Sequence, residues 1–486
     1  MLIGGKWVNG RKSERFPAIN PFNGKTWATI AHAEEQDVHD AVDAAQHAFK
    51  TSWRDTPGVE RAKLLYRLAD LLERNADRMA LMESTDNGKV IRETRGQMIF
   101  SARVYRFFAG YADKLWGSVI PLDQRDVFDY ASREPLGVAA LITAWNSPMA
   151  ILANKLPAAL AAGNCVVVKP SEHASATTVE FCHLAEQAGF PPGVINLVTG
   201  GGSVGKALVA ASGINKISFT GSGGVGRDIA ATAGRNLVSV TLELGGKSPN
   251  IVFADADINK AVVGVLAGIF AASGQTCIAG SRLLVQRPIF EDLIGRLIQR
   301  ANSIKLGDPT DLSTEMGPAA NEPQFSKIRD FISVAQNEGA RLVAGGEPIT
   351  DGDLANGFFI RPTIFTDVRN DMTIAQEEIF GPVLSVIPFD TEEQAAQIAN
   401  ATRFGLAAGI WTNDLSRALR VSRSIDAGTI WINTYRASAA QAPFGGFKQS
   451  GFGRERGEHA LNEFMSYKNV MIDYSDTERD PFAQKV

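Results

Sequence analysis

Cysteine is scarce in this sequence. Only Cys165, Cys182 and Cys277 occur among its 486 residues. Three cysteines cannot form a fully paired disulfide framework, and their spacing matches no metal-binding motif. The sequence therefore predicts no metal site and thiols that stay reduced, which favours a cytoplasmic protein.

An excess of positive charge and a long apolar run are also missing. The formal net charge is −4, whereas proteins that bind nucleic acid usually carry a basic surface. The longest apolar run, residues 261–272, is well short of the ~20 residues that span a bilayer. The N-terminus has no apolar stretch behind a basic start, so we expect no secretory signal. Neither nucleic acid nor a membrane is an expected partner.

What the sequence does contain is an alternation of apolar strand patterns with helical patterns between residues 138 and 245. Such strands pair in parallel with helices on both faces, and ligands then bind beyond the carboxyl ends of the strands. A second α/β region follows residue 246, and two amphipathic helices, at 36–49 and 59–82, precede both regions. Strand-like segments near 118–137 and at the C-terminus lack a core of their own, which predicts arms that pair with another subunit.

Two glycine-rich loops, 200–205 and 221–226, match the pattern G-x-G-x-x-G. The first resembles a P-loop, but Ala207 stands where a hydroxyl would hold Mg²⁺, which argues against a nucleoside triphosphatase. Neither loop follows the first strand of the series, where the dinucleotide fingerprint belongs. The glycines either permit tight turns, which we favour for 200–205, or, at 221–226, let a helix N-terminus carry a phosphate.

An acidic residue is more informative about the coenzyme. Glu172 follows the strand pattern CVVVK, where a carboxylate can accept hydrogen bonds from a ribose and would repel a 2′-phosphate. NAD is therefore favoured over NADP. Lys169 beside it either contacts the coenzyme or is an ordinary surface lysine.

Three further residues indicate covalent catalysis. Cys165 and Cys182 lie in apolar patterns typical of packing, whereas Cys277 lies in the loop SGQTCIAGSR, where a thiol is either a nucleophile or a packing residue. Glu243 ends a strand in LELGGKSP and is either a base or the partner of a lysine such as Lys247. Asn146 in TAWNSP either donates to an oxyanion or ends a turn.

These motifs, together with VVKPSE, FTGS, QEEIFGP and PFGGFKQSGFGRE, resemble those of the aldehyde dehydrogenase superfamily over essentially the whole chain. The resemblance implies an α/β fold with a Rossmann-like doubly wound coenzyme-binding domain and a second α/β catalytic domain. It also implies a small β oligomerisation arm, and hence a homodimer or homotetramer. The predicted boundaries are 1–117 and 138–245 for the coenzyme-binding domain, 246–439 for the catalytic domain, 118–137 and 468–486 for the arm, and 440–467 for a return segment.

The resemblance implies NAD-dependent oxidation of an aldehyde to a carboxylic acid by the hydrolytic, non-acylating branch. Cys277 would attack the carbonyl, and the Asn146 side chain and the Cys277 N–H would hold the oxyanion. Glu243 would activate the water that hydrolyses the thioester, with Lys155 and Glu455 relaying the proton. Coenzyme contacts are implied for Trp145, Lys169, Glu172, Ser222, Leu244, Glu378 and Phe380.

Departures from the family pattern predict a polar substrate pocket. Ser147 replaces a common aromatic residue, Phe444 keeps one aromatic wall, and Arg436 is either a surface residue or a partner for a substrate carboxylate. Such a pocket suits a hydroxy-, amido- or carboxy-substituted semialdehyde or a lactol. The remaining predicted pocket residues are Asn154, Ser273, Thr276, Ile278 and Ser438.

Three other functions compete with this interpretation. A CoA-acylating or phosphorylating relative would consume CoA or phosphate, but that branch typically lacks the base at Glu243. A non-catalytic scaffold would not need to retain Cys277, Glu243 and Asn146 together. A thiol redox sensor would need a resolving cysteine, and none lies near Cys277 in the sequence.

Overall fold

A computed structural model describes residues 1–476 and residue 482. The end of the predicted arm, at 477–481 and 483–486, lies outside the described residues. Two large sheets and a three-stranded sheet dominate the described part of the chain. No helix in that part is both long enough and apolar enough to cross a membrane.

The first large sheet has eight strands, of which the central five are parallel. Numbered along the chain, those five lie in the order 3-2-1-4-5, which is the doubly wound topology predicted from the alternation. In this topology the ligand crevice opens where strands 1 and 4 adjoin. Across the sheet the strands are Lys6–Trp7, Leu2–Ile3, Ile195–Leu197, Cys165–Lys169, Val138–Ile142, Lys216–Thr220, Ser239–Glu243 and Gly451–Phe452.

Helices cover this sheet, and two of their features differ from the sequence analysis. The predicted helix at 59–82 is two helices, because Asn75 leaves helical geometry (φ −101°, ψ 12°) and its side-chain amide donates to the Leu71 carbonyl at 2.8 Å. A helix at Ile91–Ala109 was not predicted. The helices are Glu35–Ala48, Gly58–Arg74, Ala76–Asn87, Ile91–Ala109, Pro148–Ala161, Ala176–Ala188, Gly202–Ala210, Gly223–Arg235 and His459–Asn462.

The second large sheet has seven strands, and all but one edge strand run parallel. Its central strands are buried along their length, as expected for parallel strands covered on both faces. Across the sheet the strands are Arg341–Ala344, Thr363–Thr366, Val383–Phe389, Arg282–Gln286, Pro249–Val252, Ala407–Trp411 and Thr429–Ile432. Its helices are Ile258–Ile269, Phe290–Asn302, Glu322–Asn337, Thr373–Gln376, Glu392–Asn400 and Leu415–Ser424.

The three-stranded sheet pairs Met465–Asp473 with Val127–Pro135 over nine residue pairs, and Val127–Pro135 with Ser118–Ile120. Its last strand begins three residues before the predicted arm boundary at 468. The arm's role in assembly and the domain boundaries stay predictions. Two short pairs complete the fold: Arg15–Asn20 with Lys25–Ala31, and Phe404–Gly405 with Phe447–Lys448.

Candidate active site

A cavity of about 600 Å³ opens at the carboxyl ends of strands 1 and 4 of the first sheet and extends to loops of the second sheet. Most of the predicted site residues line it. Lys155, Lys169, Glu172 and Ser273 do not. The cavity therefore joins the predicted nucleophile, base, amide donor and pocket residues in one space.

The loop before Cys277 turns sharply. After the helix Ile258–Ile269, the residues Ala272, Ser273 and Gly274 all have positive φ, at 53°, 54° and 69°. A β-carbon at Gly274 would lie 2.1 Å from the carbonyl oxygen of Gly381, so the close approach requires glycine. Ser273, predicted to line the pocket, instead donates from its hydroxyl to the Gly317 carbonyl at 2.8 Å.

The thiol of Cys277 reaches the cavity, whereas Cys165 and Cys182 are buried in the hydrophobic core around the first large sheet. Burial and the nearby carboxylates of Glu243 and Glu378 raise the pKa of Cys277 to about 12, while the Arg456 cation opposes this shift. The thiol is thus protonated at neutral pH, and its attack needs a base.

The Glu243 carboxyl group lies in the same cavity at the end of its strand. Neither of its oxygens has a hydrogen-bond partner among the described residues, and neither does Nζ of Lys247. The alternative interpretation, an ion pair between these two residues, is therefore wrong. Burial and the neighbouring Glu455 raise the pKa of Glu243 well above its ordinary value. A carboxyl group with a raised pKa suits a general base that works near neutral pH.

Lys155 and Glu455 form a buried ion pair behind Glu243. Lys155 lies on the helix Pro148–Ala161, and its Nζ also contacts the Ser218 hydroxyl at 3.1 Å. Besides burial, the charge of Glu455 raises the pKa of Glu243, so the two carboxyl groups lie close enough to interact, as the predicted proton relay requires.

Asn146 follows the strand Val138–Ile142, at the topological switch point. Its Nδ2 donates to the Gln275 carbonyl at 2.9 Å, which orients the amide toward the loop of Cys277. An amide nitrogen carries two N–H groups, so the second can still donate to an oxyanion.

The coenzyme side of the cavity begins at the helix Gly223–Arg235. Ser222 caps this helix by accepting a hydrogen bond from the Val225 N–H at 3.4 Å. The rings of Trp145 and Phe380 meet edge to face across the cavity, with centroids 5.3 Å apart. Phe380 has a positive φ of 61°, and its carbonyl accepts a hydrogen bond from the Gln324 side chain at 2.9 Å.

Two carboxylates belong to the predicted coenzyme contacts: Glu378 lines the cavity, and Glu172 lies outside its lining. Glu378 accepts a hydrogen bond from the Gly246 N–H at 3.0 Å, and burial raises its pKa. Glu172 lies 3.5 Å from Nζ of Lys169; burial alone would raise the pKa of Glu172, but the Lys169 charge and backbone hydrogen bonds lower it. A strand-end carboxylate and the N–H groups of a capped helix are what a dinucleotide requires here, so the residues fit NAD.

Several cavity residues were missed by the sequence analysis. Glu93, Gln97 and Phe100 come from the unpredicted helix Ile91–Ala109. Gln97 carries no catalytic signature, and only the helical spacing of 93, 97 and 100 could have shown that they share a face.

These residues also change the surroundings of two predicted ones. Arg436 lies 3.9 Å from the Glu93 carboxylate, so its charge already faces an acidic group. The Ser147 hydroxyl lies 2.5 Å from Nζ of Lys89, a buried lysine. Neither predicted residue therefore has its polar group free of a partner.

Arg456, the residue after Glu455, was also missed. Its Nε donates to Oδ1 of Asn154 at 2.8 Å, and its Nη1 contacts the Ser438 hydroxyl. The guanidinium carbon lies 5.3 Å from the ring centroid of Phe100 and 5.0 Å from that of Phe444. Two polar residues predicted to face the substrate thus hold a cation.

Comparison with known proteins decides the family. The sequence profile of the aldehyde dehydrogenase family matches residues 7–470. The chain belongs to this family. It is 45% identical over its full length to (Z)-2-((N-methylformamido)methylene)-5-hydroxybutyrolactone dehydrogenase of Acinetobacter baylyi, 99% of which is covered. It is 42% identical to betaine aldehyde dehydrogenase of Bacillus subtilis, with 97% of the chain and 96% of the relative aligned.

Solved structures agree with this family assignment. Betaine aldehyde dehydrogenase of Staphylococcus aureus in complex with NAD⁺ superposes with a TM-score of 0.98 at 38% identity, over 99% of this chain and 96% of that one. The predicted fold class and enzyme class are therefore confirmed, and the predicted coenzyme agrees with the NAD⁺ bound in that structure.

Proposed function

We propose that this aldehyde dehydrogenase uses NAD to oxidise a polar aldehyde to its carboxylic acid, with Cys277 as the nucleophile. The observation that carries the proposal is the convergence of Cys277, Glu243 and Asn146 on one cavity beside the dinucleotide cleft. Nucleophile, base and amide donor are the groups that acyl chemistry at a thiol requires.

The first step needs a proton to leave Cys277. Glu243 takes it, because its raised pKa and its position in the same cavity suit a base for a thiol with a pKa of about 12. The sulfur then bonds to the aldehyde carbon to form a thiohemiacetal. Asn146 Nδ2 and the Cys277 N–H donate to the oxygen.

Glu243 also serves the second half-reaction. Lys169, Glu172, Ser222 and Glu378 would hold NAD, which when bound would supply the hydride acceptor for oxidation of the thiohemiacetal to a thioester. Glu243 passes the proton of Cys277 to the Lys155–Glu455 pair before it removes a proton from the water that attacks the thioester carbon, and the Cys277 thiolate leaves. The Lys155–Glu455 pair accepts and releases the proton.

The substrate class follows from the cavity lining and from the relatives. Asn154, Ser438 and Arg456 place polar groups where an alkyl or aryl chain would need apolar ones. The Acinetobacter relative is named for a 5-hydroxybutyrolactone, which is the ring-closed isomer of a 4-oxobutanoic acid. The Bacillus relative is named for betaine aldehyde, a quaternary ammonium compound. The polar lining favours a substrate that resembles the hydroxybutyrolactone rather than betaine aldehyde.

The test is NADH formation from NAD with alkyl, aryl, hydroxylated, amidated and carboxylated aldehydes, without CoA or phosphate. We expect turnover that is highest for the polar aldehydes and lost in Cys277→Ala. Turnover only after CoA or phosphate is added would move the chain to the acylating or phosphorylating branch. No turnover under any condition would favour a non-catalytic scaffold.

A further inference from the structure

We propose that Arg456 is the specificity-determining residue of this cavity and that it binds the carboxylate of a short aldehyde acid, of which 4-oxobutanoate is the simplest probe. This inference rests on the proposed function and narrows its substrate. It differs from the sequence prediction, which assigned that role to Arg436.

Arg456 differs from the other cations of the site in its charge environment. Within the described part of the chain, no carboxylate lies within ion-pair distance of Arg456, whereas Arg436 faces Glu93 and Lys155 pairs with Glu455. Arg456 is half-buried, and it feels the charges of Glu455 and Glu243 without forming an ion pair with either. A partly desolvated cation that lacks an ion-pair partner is costly. A substrate carboxylate would offset that cost, so the cavity selects for one.

The orientation of the Arg456 guanidinium suits a carboxylate. Asn154 and Ser438 occupy two of the five guanidinium N–H groups of Arg456. Nη2 makes no hydrogen bond within the described residues, and the remaining N–H groups of Nη1 and Nη2 form the fork that binds a carboxylate with two hydrogen bonds. The fork is therefore held in place while its recognition edge stays free.

Two aromatic rings support the guanidinium group of Arg456. Phe100 and Phe444 hold the guanidinium at 5.3 Å and 5.0 Å from their ring centroids, which is within the range of a cation–π contact. These contacts and the two hydrogen bonds come from different elements of the chain. Arg456 is thus preorganised, and binding an anion needs little further ordering.

Arg456 also lies in the cavity that holds the reacting thiol. Arg456 lines the same cavity as Cys277, and its charge opposes the rise in the pKa of Cys277 that burial and two carboxylates cause. A short acid can therefore reach both groups. The same charge opposes binding of a quaternary ammonium aldehyde, so we expect betaine aldehyde to be a poor substrate.

The experiment compares kcat/KM for 4-oxobutanoate, butanal and betaine aldehyde in the wild type, Arg456→Gln, Arg456→Lys and the matched control Arg436→Gln. We expect Arg456→Gln to lower the 4-oxobutanoate value about 10- to 100-fold, as for loss of a hydrogen-bonded ion pair. The butanal value should fall only about 2- to 5-fold, because butanal loses just the support of the cation for the thiolate. Arg456→Lys should retain part of the preference for the acid.

Two results would overturn the inference. One is equal kcat/KM for 4-oxobutanoate and butanal in the wild type. The other is an equal loss for both substrates in Arg456→Gln, which would make Arg456 merely structural. If Arg436→Gln, rather than Arg456→Gln, removes the preference for the acid, the original prediction for Arg436 is right and this inference is wrong.

A second readout does not depend on turnover. Iodoacetate is anionic and iodoacetamide is neutral, and the alkylation of Cys277 by each reagent is followed by peptide mass spectrometry. We expect the ratio of the iodoacetate rate to the iodoacetamide rate to fall at least about 5-fold in Arg456→Gln, because the anionic reagent is no longer attracted by the Arg456 cation. An unchanged ratio contradicts the inference. If the ratio falls in Arg456→Gln but the wild type oxidises no aldehyde, the anion site is supported and the proposed function is wrong.

Discussion

Glu243 is a buried carboxyl group with no hydrogen-bond partner among the described residues, and its pKa is raised by burial and by Glu455. An acid with a raised pKa holds its proton in the folded chain at pH values where the unfolded chain has lost it. Stability due to this group is therefore present at low pH and declines as pH rises from its ordinary value of 4.5 toward the raised value. A general base that is buried and has a raised pKa therefore lowers the free energy of unfolding of the enzyme as pH rises.

Glu243→Gln removes this titration. We expect the variant to gain stability relative to the wild type as pH rises from 5.5 to 8, with a slope of at most ~1.4 kcal/mol per pH unit. Tm measured by scanning fluorimetry over that range checks the sign. Turnover should fall at least ~100-fold because the general base is lost.

Glu377→Gln is the matched control for that experiment. The hydrogen bond from Arg403 lowers the pKa of Glu377, so this group is ionised in folded and unfolded chains alike above pH 5.5. The Tm difference between this variant and the wild type should stay constant over the range. A constant difference for Glu243→Gln as well would contradict the raised pKa.

At the scale of elements, the loop between the helix Ile258–Ile269 and Cys277 is shaped by backbone conformation. Gly274 has a φ of 69°, and a β-carbon there would meet the Gly381 carbonyl oxygen at 2.1 Å. Both features reject a side chain, and the contact ties the nucleophile loop to the segment that carries Glu378 and Phe380. Displacing one segment should displace the other.

Gly274→Ala is expected to lower stability by about 2 kcal/mol or more through strain and the backbone clash. It should also lower kcat/KM, because Cys277 moves relative to Asn146. The control Gly234→Ala lies in a helix with open space around the new methyl group, so it should be neutral or stabilising by up to ~1 kcal/mol. Wild-type Tm and kcat/KM in Gly274→Ala would show that the loop tolerates the change.

At the scale of the whole molecule, the three-stranded sheet exposes apolar side chains. Val119, Tyr467 and Met471 are 69%, 68% and 61% exposed. An exposed apolar sheet is typical of an interaction surface, which supports the predicted role of the arm in a homodimer or homotetramer.

The double variant Val119→Glu/Met471→Glu is expected to reduce the molar mass measured by light scattering after gel filtration, because it places charge on that sheet. Leu415→Glu is the control and should leave the mass unchanged, because Leu415 is 72% exposed on the helix Leu415–Ser424, which is not part of the three-stranded sheet. An unchanged mass in the double variant at micromolar concentration would place the interface elsewhere.

The sequence by itself determined the parallel sheets and singled out the candidate catalytic residues. Continuous apolar strands such as Val138–Ile142 and Cys165–Lys169 are recognisable because burial on both faces removes polar positions from the local pattern. Cys277 and Glu243 stood out because each lies in a short motif whose neighbours are glycines. Both kinds of signal are local, so a single sequence carries them.

Only the tertiary structure decided which polar groups of the pocket are free. Arg456 meets Asn154 across 302 residues of sequence, and Arg436 meets Glu93 from a helix that the sequence analysis did not predict. Partners so distant leave no trace in periodicity or spacing, because the contact depends on how separate elements pack. That Arg456 forms no ion pair among the residues that the structure describes, and with it the expected substrate charge, is therefore a property of the packed fold.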